Sequence, residues 1–162
     1  MNTQTHKTAH PTQSSHTVVV LGVEGLGPGP SPASVVGPGK HLTPSQFHQL
    51  IQSAPANAVL LDCRNDYESH IGQFLAPNIP TVAPPVRNFK SFPRWVDEHA
   101  EELSGKTILM YCTGGIRCER GSAYLRTKGL EPVQLYGGIH TYLEQYPDGF
   151  FKGFFSPSLI SE

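Results

Sequence analysis

The sequence predicts a three-layer α/β domain with a central parallel sheet. AVLLD at 58–62 and TILMY at 107–111 are short runs of buried-type residues, as strands covered on both faces tend to be. Segments of helical periodicity alternate with them, the order from which parallel sheets are wound. The second run leads straight into a cysteine, two glycines and a further helical segment, at the end of the sheet where such folds bind ligands.

The domain begins at His41 with HLTPSQFHQLIQ, in which Thr43 is placed to cap a helix, Pro44 to occupy its first position and Gln46 its third. Phe47, Leu50 and Ile51 supply the apolar face. Ala58 to Asp62 is an interior strand whose carboxylate end opens on a loop. RNDYESHIGQF reads as a polar turn or short helix, and Pro77, Pro80, Pro84 and Pro85 as a non-regular crossover. SFPRWVDEHAEEL carries Phe92, Trp95, Val96 and His99 or Ala100 on one helical face and is closed by Gly105. After the Thr107–Tyr111 strand, a helix beginning near Cys118 runs to Gly129. PVQLY (132–136) is the next strand, and GIHTYLEQYP starts a last helix with Tyr142, Leu143 and Tyr146 on one side.

A chain of 162 residues holds one compact domain with room for tails. Residues 1–40 read as a flexible tail and Gly/Pro-rich linker, 41–155 as the domain and 156–162 as a C-terminal tail. TVVVL at 17–21 reads as an edge strand or a strand end cut from a preceding domain, and FFKGFFSPSLISE as a second junction. The formal charge of -1 removes any case for nucleic-acid binding by bulk electrostatics. A local basic interval remains at Arg87, Lys90 and Arg94, while the neighbouring Trp95 lies on the apolar stripe and reads as core. With no long apolar run and no basic, hydrophobic leader, neither a membrane span nor a secretory signal is expected. Three cysteines, Cys63, Cys112 and Cys118, fit a reducing, cytoplasmic setting better than a disulfide scaffold.

YCTGGIRCERGSAYL carries the chemistry. Cys112 sits where a strand ends and Gly114 and Gly115 remove side-chain bulk, so the backbone N–H groups of the loop can converge on the sulfur as an anion nest. The helix N-terminus adds partial positive charge. Such a setting favours a thiolate and stabilises an anionic persulfide or oxyanion. Arg117 is placed either to clamp an anion or to tie the loop to a carboxylate. A buried structural cysteine is the plain alternative. No metal or cofactor is expected, since a single pair of thiols without further ligands makes a poor zinc site.

MYCTGGIRCERGSAYL resembles the active-site loop of the rhodanese family, and most of all that of the tRNA uridine hydroxylases and their eukaryotic relatives. HLTPSQFHQL, LLDCRNDYESHIGQF, FKSFPRWVDEH and LYGGIHTYLEQYPDG extend the resemblance from about His41 to Phe151. It implies a rhodanese-like fold, Cys112 as the sulfur-carrying cysteine, and a substrate cradle of Thr113, Gly114, Gly115, Ile116, Arg117 and Cys118. The C-x4-R interval suits a persulfide, whereas related phosphatases use C-x5-R. Sulfur transfer from a small sulfane-sulfur donor to a thiol or cyanide acceptor is the leading expectation. The branch offers a second, as the module of a larger protein with tRNA as partner: bacterial relatives take part in oxygen-dependent hydroxylation of the tRNA wobble uridine, and the same loop cysteine is essential there. A non-catalytic interaction module is the third.

Asp62, Arg64 and Glu68 match the family's early block DCRNDYE and are expected to act as structural support, with Arg64 and Glu68 four residues apart and able to pair across a helical turn. Cys63 reads as a small core residue. Cys118 has two readings, a resolving thiol for Cys112 or a small residue packed at the helix start.

Overall fold

The computed structural model describes residues 36–154; the TVVVL run and the C-terminal tail lie outside them. The chain runs through β1 (Lys40–Leu42), α1 (Pro44–Ser53), β2 (Ala58–Asp62), α2 (Asp66–Ile71), β3 (Gly72–Phe74) and β4 (Thr81–Val82). A 3-10 turn at Phe89–Ser91 leads into α3 (Phe92–Leu103), followed by β5 (Thr107–Tyr111), α4 (Ile116–Thr127), β6 (Val133–Leu135), α5 (Gly138–Gln145) and β7 (Phe151–Gly153). Five strands form a parallel sheet in the order β1-β6-β5-β2-β4, and β3 pairs antiparallel with β7 beside it.

The local signals explain the elements. Thr43 Oγ1 accepts the Gln46 N–H at 3.2 Å while the Thr43 N–H donates to Gln46 Oε1 at 3.0 Å, a reciprocal cap worth about 1 kcal/mol. Every residue of β2 is buried, as expected for a strand covered on both sides. Period-two alternation then sorts the side chains into two core layers. Val59, Leu61 and Cys63 with Ile108, Met110 and Cys112 face α3 and α4 through Phe92, Val96, Cys118 and Leu125. Leu60, Leu109 and Tyr111 face the opposite layer with Phe47, Ile51, Ile139 and Tyr142.

Strand direction across the sheet positions the site. From β2 the chain passes outward to β4, then returns to the other side of β2 as β5 and continues outward to β6. The order reverses between β2 and β5, and a reversal leaves a crevice at the C-terminal strand ends. Those ends are Asp62 and Tyr111, register partners, followed immediately by Cys63 and Cys112.

Several elements differ from the sequence reading. The strands β1, β3, β4 and β7 have two or three residues each, too short to produce a periodic signal. β6 covers Val133–Leu135 of PVQLY; Pro132 at its start has no N–H to give the ladder. α4 starts at Ile116 rather than near Cys118, which puts Cys118 inside its first turn.

Phe74 anchors the second core layer: it is fully buried, with edge contacts to Phe47, Tyr111, Tyr142 and Phe151 at centroid distances of 4.6–5.6 Å. Phe74→Ala is expected to lower the unfolding free energy by about 3–5 kcal/mol, read as an earlier urea midpoint with unchanged slope. A loss under about 1 kcal/mol would show that this cluster does not hold the layer.

Candidate active site

Cys112 follows the last residue of β5 and is fully buried at the floor of a loop formed by Thr113, Gly114 and Gly115. The Gly115 N–H donates to Cys112 Sγ at 3.1 Å. Gly115 caps α4 with φ 93°, a left-handed conformation that glycine adopts without the steric cost borne by other residues. This turn points its amide at the sulfur, immediately before the N-terminus of α4.

The outer side of the loop rests on the start of α5. The Ile139 N–H donates to the Cys112 carbonyl at 3.0 Å, and the His140 N–H to the Thr113 carbonyl at 3.2 Å. Gly138, at φ 68°, permits that approach: a Cβ there would lie 2.3 Å from the Thr113 oxygen and 2.7 Å from the Cys112 oxygen. No rotamer change relieves a clash with backbone, so the pair Gly137–Gly138 belongs to the site. The sequence reading missed it, although a second two-glycine step after a strand, in LYGGIH, was the available signal.

Arg117 is tied to Glu68. Its Nη1 donates to Glu68 Oε2 at 2.7 Å, and its Nη2 to Glu68 Oε1 at 3.0 Å and to Thr113 Oγ1 at 3.2 Å. Thr113 Oγ1 also donates to Glu68 Oε1 at 3.3 Å, and the Asn65 N–H donates to Glu68 Oε2 at 2.9 Å. Burial would push the Glu68 carboxyl up, but the hydrogen bonds and charge of Arg117 outweigh it and hold the group below its ordinary value. Of the two roles open to Arg117 in the sequence, the geometry has the tie to a carboxylate.

The expected pairing of Arg64 with Glu68 does not occur. Arg64 precedes α2, so the helical spacing does not apply; its guanidinium turns inward to Asp62, with Nε to Oδ1 at 2.9 Å and Nη2 to Oδ2 at 2.8 Å. The Arg64 side chain is 5% exposed and that of Asp62 0%. Burial works against the Arg64 charge, yet Asp62 outweighs it and the guanidinium holds its proton more tightly. Arg64 Nη2 also donates to the Gly72 carbonyl, which joins β2 to β3. Asp62–Arg64 and Glu68–Arg117 are therefore two separate ion pairs, one at the end of β2 and one joining α2 to the loop and the start of α4.

Ile116 is exposed at the helix start. Cys118 and Cys63 are both fully buried in the layer that contains Cys112. Burial pushes both thiols up. Trp95 is core, stacked on His99 at 4.4 Å, and Arg94 pairs with Glu98 at 3.1 Å. Among the described residues, no group of three or more His, Cys, Asp or Glu is arranged to hold a metal. None of their helices is long and apolar enough to cross a membrane.

A model of the rhodanese-like domain family matches residues 43–145. The chain is 50% identical over 131 residues to rhodanese-like domain-containing protein 6 of Arabidopsis thaliana, which covers 75% of this chain and 22% of that protein. It is 41% identical over 131 residues to a tRNA uridine(34) hydroxylase of Brucella suis, covering 80% of this chain and 39% of that protein. The match therefore spans well under half of either relative. Among solved structures, the rhodanese-like domain of an Anabaena sp. protein superposes with TM-score 0.54 at 19% identity, covering 70% of this chain and 79% of that one. At that identity the superposition establishes the fold.

The Glu68–Arg117 tie gives a pH-dependent prediction. Glu68→Gln leaves a largely buried guanidinium without its charge partner and is expected to cost about 3 kcal/mol at neutral pH. Because the folded-state value of Glu68 is lowered, its stabilisation is present above the ordinary carboxylate range and fades as pH falls through the lowered value. The gap between wild type and variant in urea unfolding should thus close on acidification. A gap that stays constant to below about pH 3 would assign the loss to packing instead.

Proposed function

The chain belongs to the rhodanese-like domain family, and from that premise we propose that it is the cysteine-bearing catalytic module of a larger protein that modifies the wobble uridine of tRNA. Cys112 is the reactive thiol, Thr113 to Cys118 cradle the substrate, and residues 41–155 form the module between tails. The observation that carries this reading is the Gly115 amide donated to Cys112 Sγ at the sheet's point of reversal. The 41% identity to a protein named as a tRNA uridine(34) hydroxylase gives the direction of the chemistry. Within the branch we place the chain beside thiosulfate sulfurtransferase/rhodanese-like domain-containing protein 2, which its sequence blocks resemble. A cytoplasmic setting follows from the same reading.

In this account the loop amide and the helix N-terminus favour charge on the sulfur, and burial of the floor keeps water from competing with substrate. Glu68 and Arg117 hold the loop open around the thiol. Rigid placement of a nucleophile contributes to rate because the geometry is set before substrate arrives.

A second reading, sulfur transfer, is favoured by the short C-x4-R loop. Here the Cys112 thiolate attacks the outer sulfur of a donor such as thiosulfate, sulfite leaves, and the persulfide passes its outer sulfur to a thiol or cyanide. Both readings require the same atom.

Replacing the rhodanese segment of a bacterial tRNA uridine hydroxylase with this chain tests the first. Nucleoside analysis is expected to show 5-hydroxyuridine restored by wild type and reduced about a hundredfold or more by Cys112→Ser. Donor treatment of the isolated chain tests the second: a reducible mass gain of about 32 Da, one sulfur, on the Cys112 peptide and absent from Cys112→Ser. Equal hydroxylation by the serine variant rejects the first reading, and failure of wild type in both assays leaves an interaction module.

A further inference from the structure

We propose that Tyr136 is a stacking platform for one unpaired base of an RNA strand, with Ile116 as an apolar wall beside it and Arg120 as the contact for the adjoining phosphate. This rests on the reading of the chain as a tRNA-modifying module, which it deepens by naming residues beyond the cysteine and its amide that hold the nucleotide.

Tyr136 follows β6, and its N–H still donates to the Leu42 carbonyl at 2.8 Å, which fixes the backbone against β1. The register of β5 and β6 pairs Met110 with Gln134; two residues further on, it sets Tyr136 level with Cys112. The side chain emerges on the α4 side of the sheet. Its ring meets the His41 ring edge-on at 5.9 Å, and His41 Nε2 is hydrogen-bonded to Glu119 Oε1 in the first turn of α4. Gly115 joins this position to the loop, since a Cβ there would lie 3.4 Å from the Gly137 nitrogen. The glycine whose amide reaches the Cys112 sulfur thus packs on the residue after Tyr136 and itself precedes Ile116.

Tyr136 is 62% exposed and Ile116 56%. Single exposed apolar side chains are ordinary, but these two flank one glycine contact beside the cysteine. His41 braces one part of the tyrosine ring and leaves the rest to solvent, so the ring is held in place with little ordering left to do on binding. An exposed ring at the C-terminal edge of a parallel sheet suits a planar ligand. Arg120 lies one helical turn beyond Ile116 on the same face; it is exposed and forms no ion pair among the described residues. Ring, aliphatic wall and unpaired guanidinium together complement a nucleotide, through stacking on the base and a charge contact to the phosphate. A small inorganic donor such as thiosulfate has no apolar face for the ring and the isoleucine to cover. With a formal charge of -1, stacking rather than a broad basic surface carries the affinity.

The test uses the full chain and a single-stranded RNA of anticodon-loop sequence carrying 5-iodouridine at the wobble position. Irradiation is expected to cross-link that base to Tyr136, located by peptide mapping. In fluorescence titrations with the unmodified RNA, Tyr136→Ala should weaken binding about tenfold and Tyr136→Phe should retain it, because the ring and not the hydroxyl stacks. Arg120→Gln should weaken binding and flatten the dependence of log Kd on log salt by about 0.7, the loss of one phosphate contact. An unchanged urea midpoint checks that each variant is folded. Absence of RNA binding by wild type, equal binding by Tyr136→Ala, or a cross-link confined to other residues overturns the platform, whether or not the hydroxylase chimera is active. A chimera that makes no 5-hydroxyuridine while ring-dependent RNA binding persists rejects the tRNA-modification reading and supports the platform.

Discussion

The contact between the Cys112–Gly115 loop and the N-terminus of α5 is the constraint on which the site depends. Two consecutive carbonyls, those of Cys112 and Thr113, accept N–H groups from Ile139 and His140. Helix N-termini carry unsatisfied donors, and here the loop supplies their acceptors. With the Cys112 and Thr113 carbonyls turned outward to α5, the Gly115 N–H reaches the sulfur. Gly138 makes this possible, because a side chain at its position would occupy the space of the Thr113 oxygen. One glycine in a later element thus orients a dipole in an earlier one.

The charged residues at the same edge divide between two tasks. Asp62 and Arg64 are buried as a bidentate pair that joins β2 to β3, while Glu68 and Arg117 link α2 to the beginning of α4. A buried pair of this kind adds little net stability over an apolar pair, but it punishes any rearrangement that separates its members. That holds the loop between α2 and α4 in one arrangement. It also explains why Arg117, which looks in sequence like an anion clamp, is engaged with a carboxylate while the backbone amide reaches the cysteine.

What was legible in the sequence follows the strength of local signals. β2 and β5 were visible as continuous buried runs, α1 by its Thr43–Gln46 cap and α3 by its apolar stripe. The position of Cys112 at a strand end followed directly. The three-residue strands were not visible, because β1 and β7 exist only through partners distant in sequence. The Arg64 pairing was misread for a related reason: four-residue spacing implies contact only inside a helix, and α2 begins two residues later, at Asp66. The convergence of the three cysteines was half legible. Alternation along β2 and β5 puts Cys63 and Cys112 on one face, but the placement of Cys118 depends on where α4 begins and how it crosses that face.

The central claim is that the fold singles out one of three neighbouring sulfurs for chemistry. Brief alkylation of the native, reduced chain with iodoacetamide at neutral pH, followed by peptide mapping, tests it most directly. The account predicts a single adduct on Cys112, with Cys63 and Cys118 modified only after unfolding. Modification of Cys63 or Cys118 at the same rate, or protection of Cys112 until the chain unfolds, would contradict it.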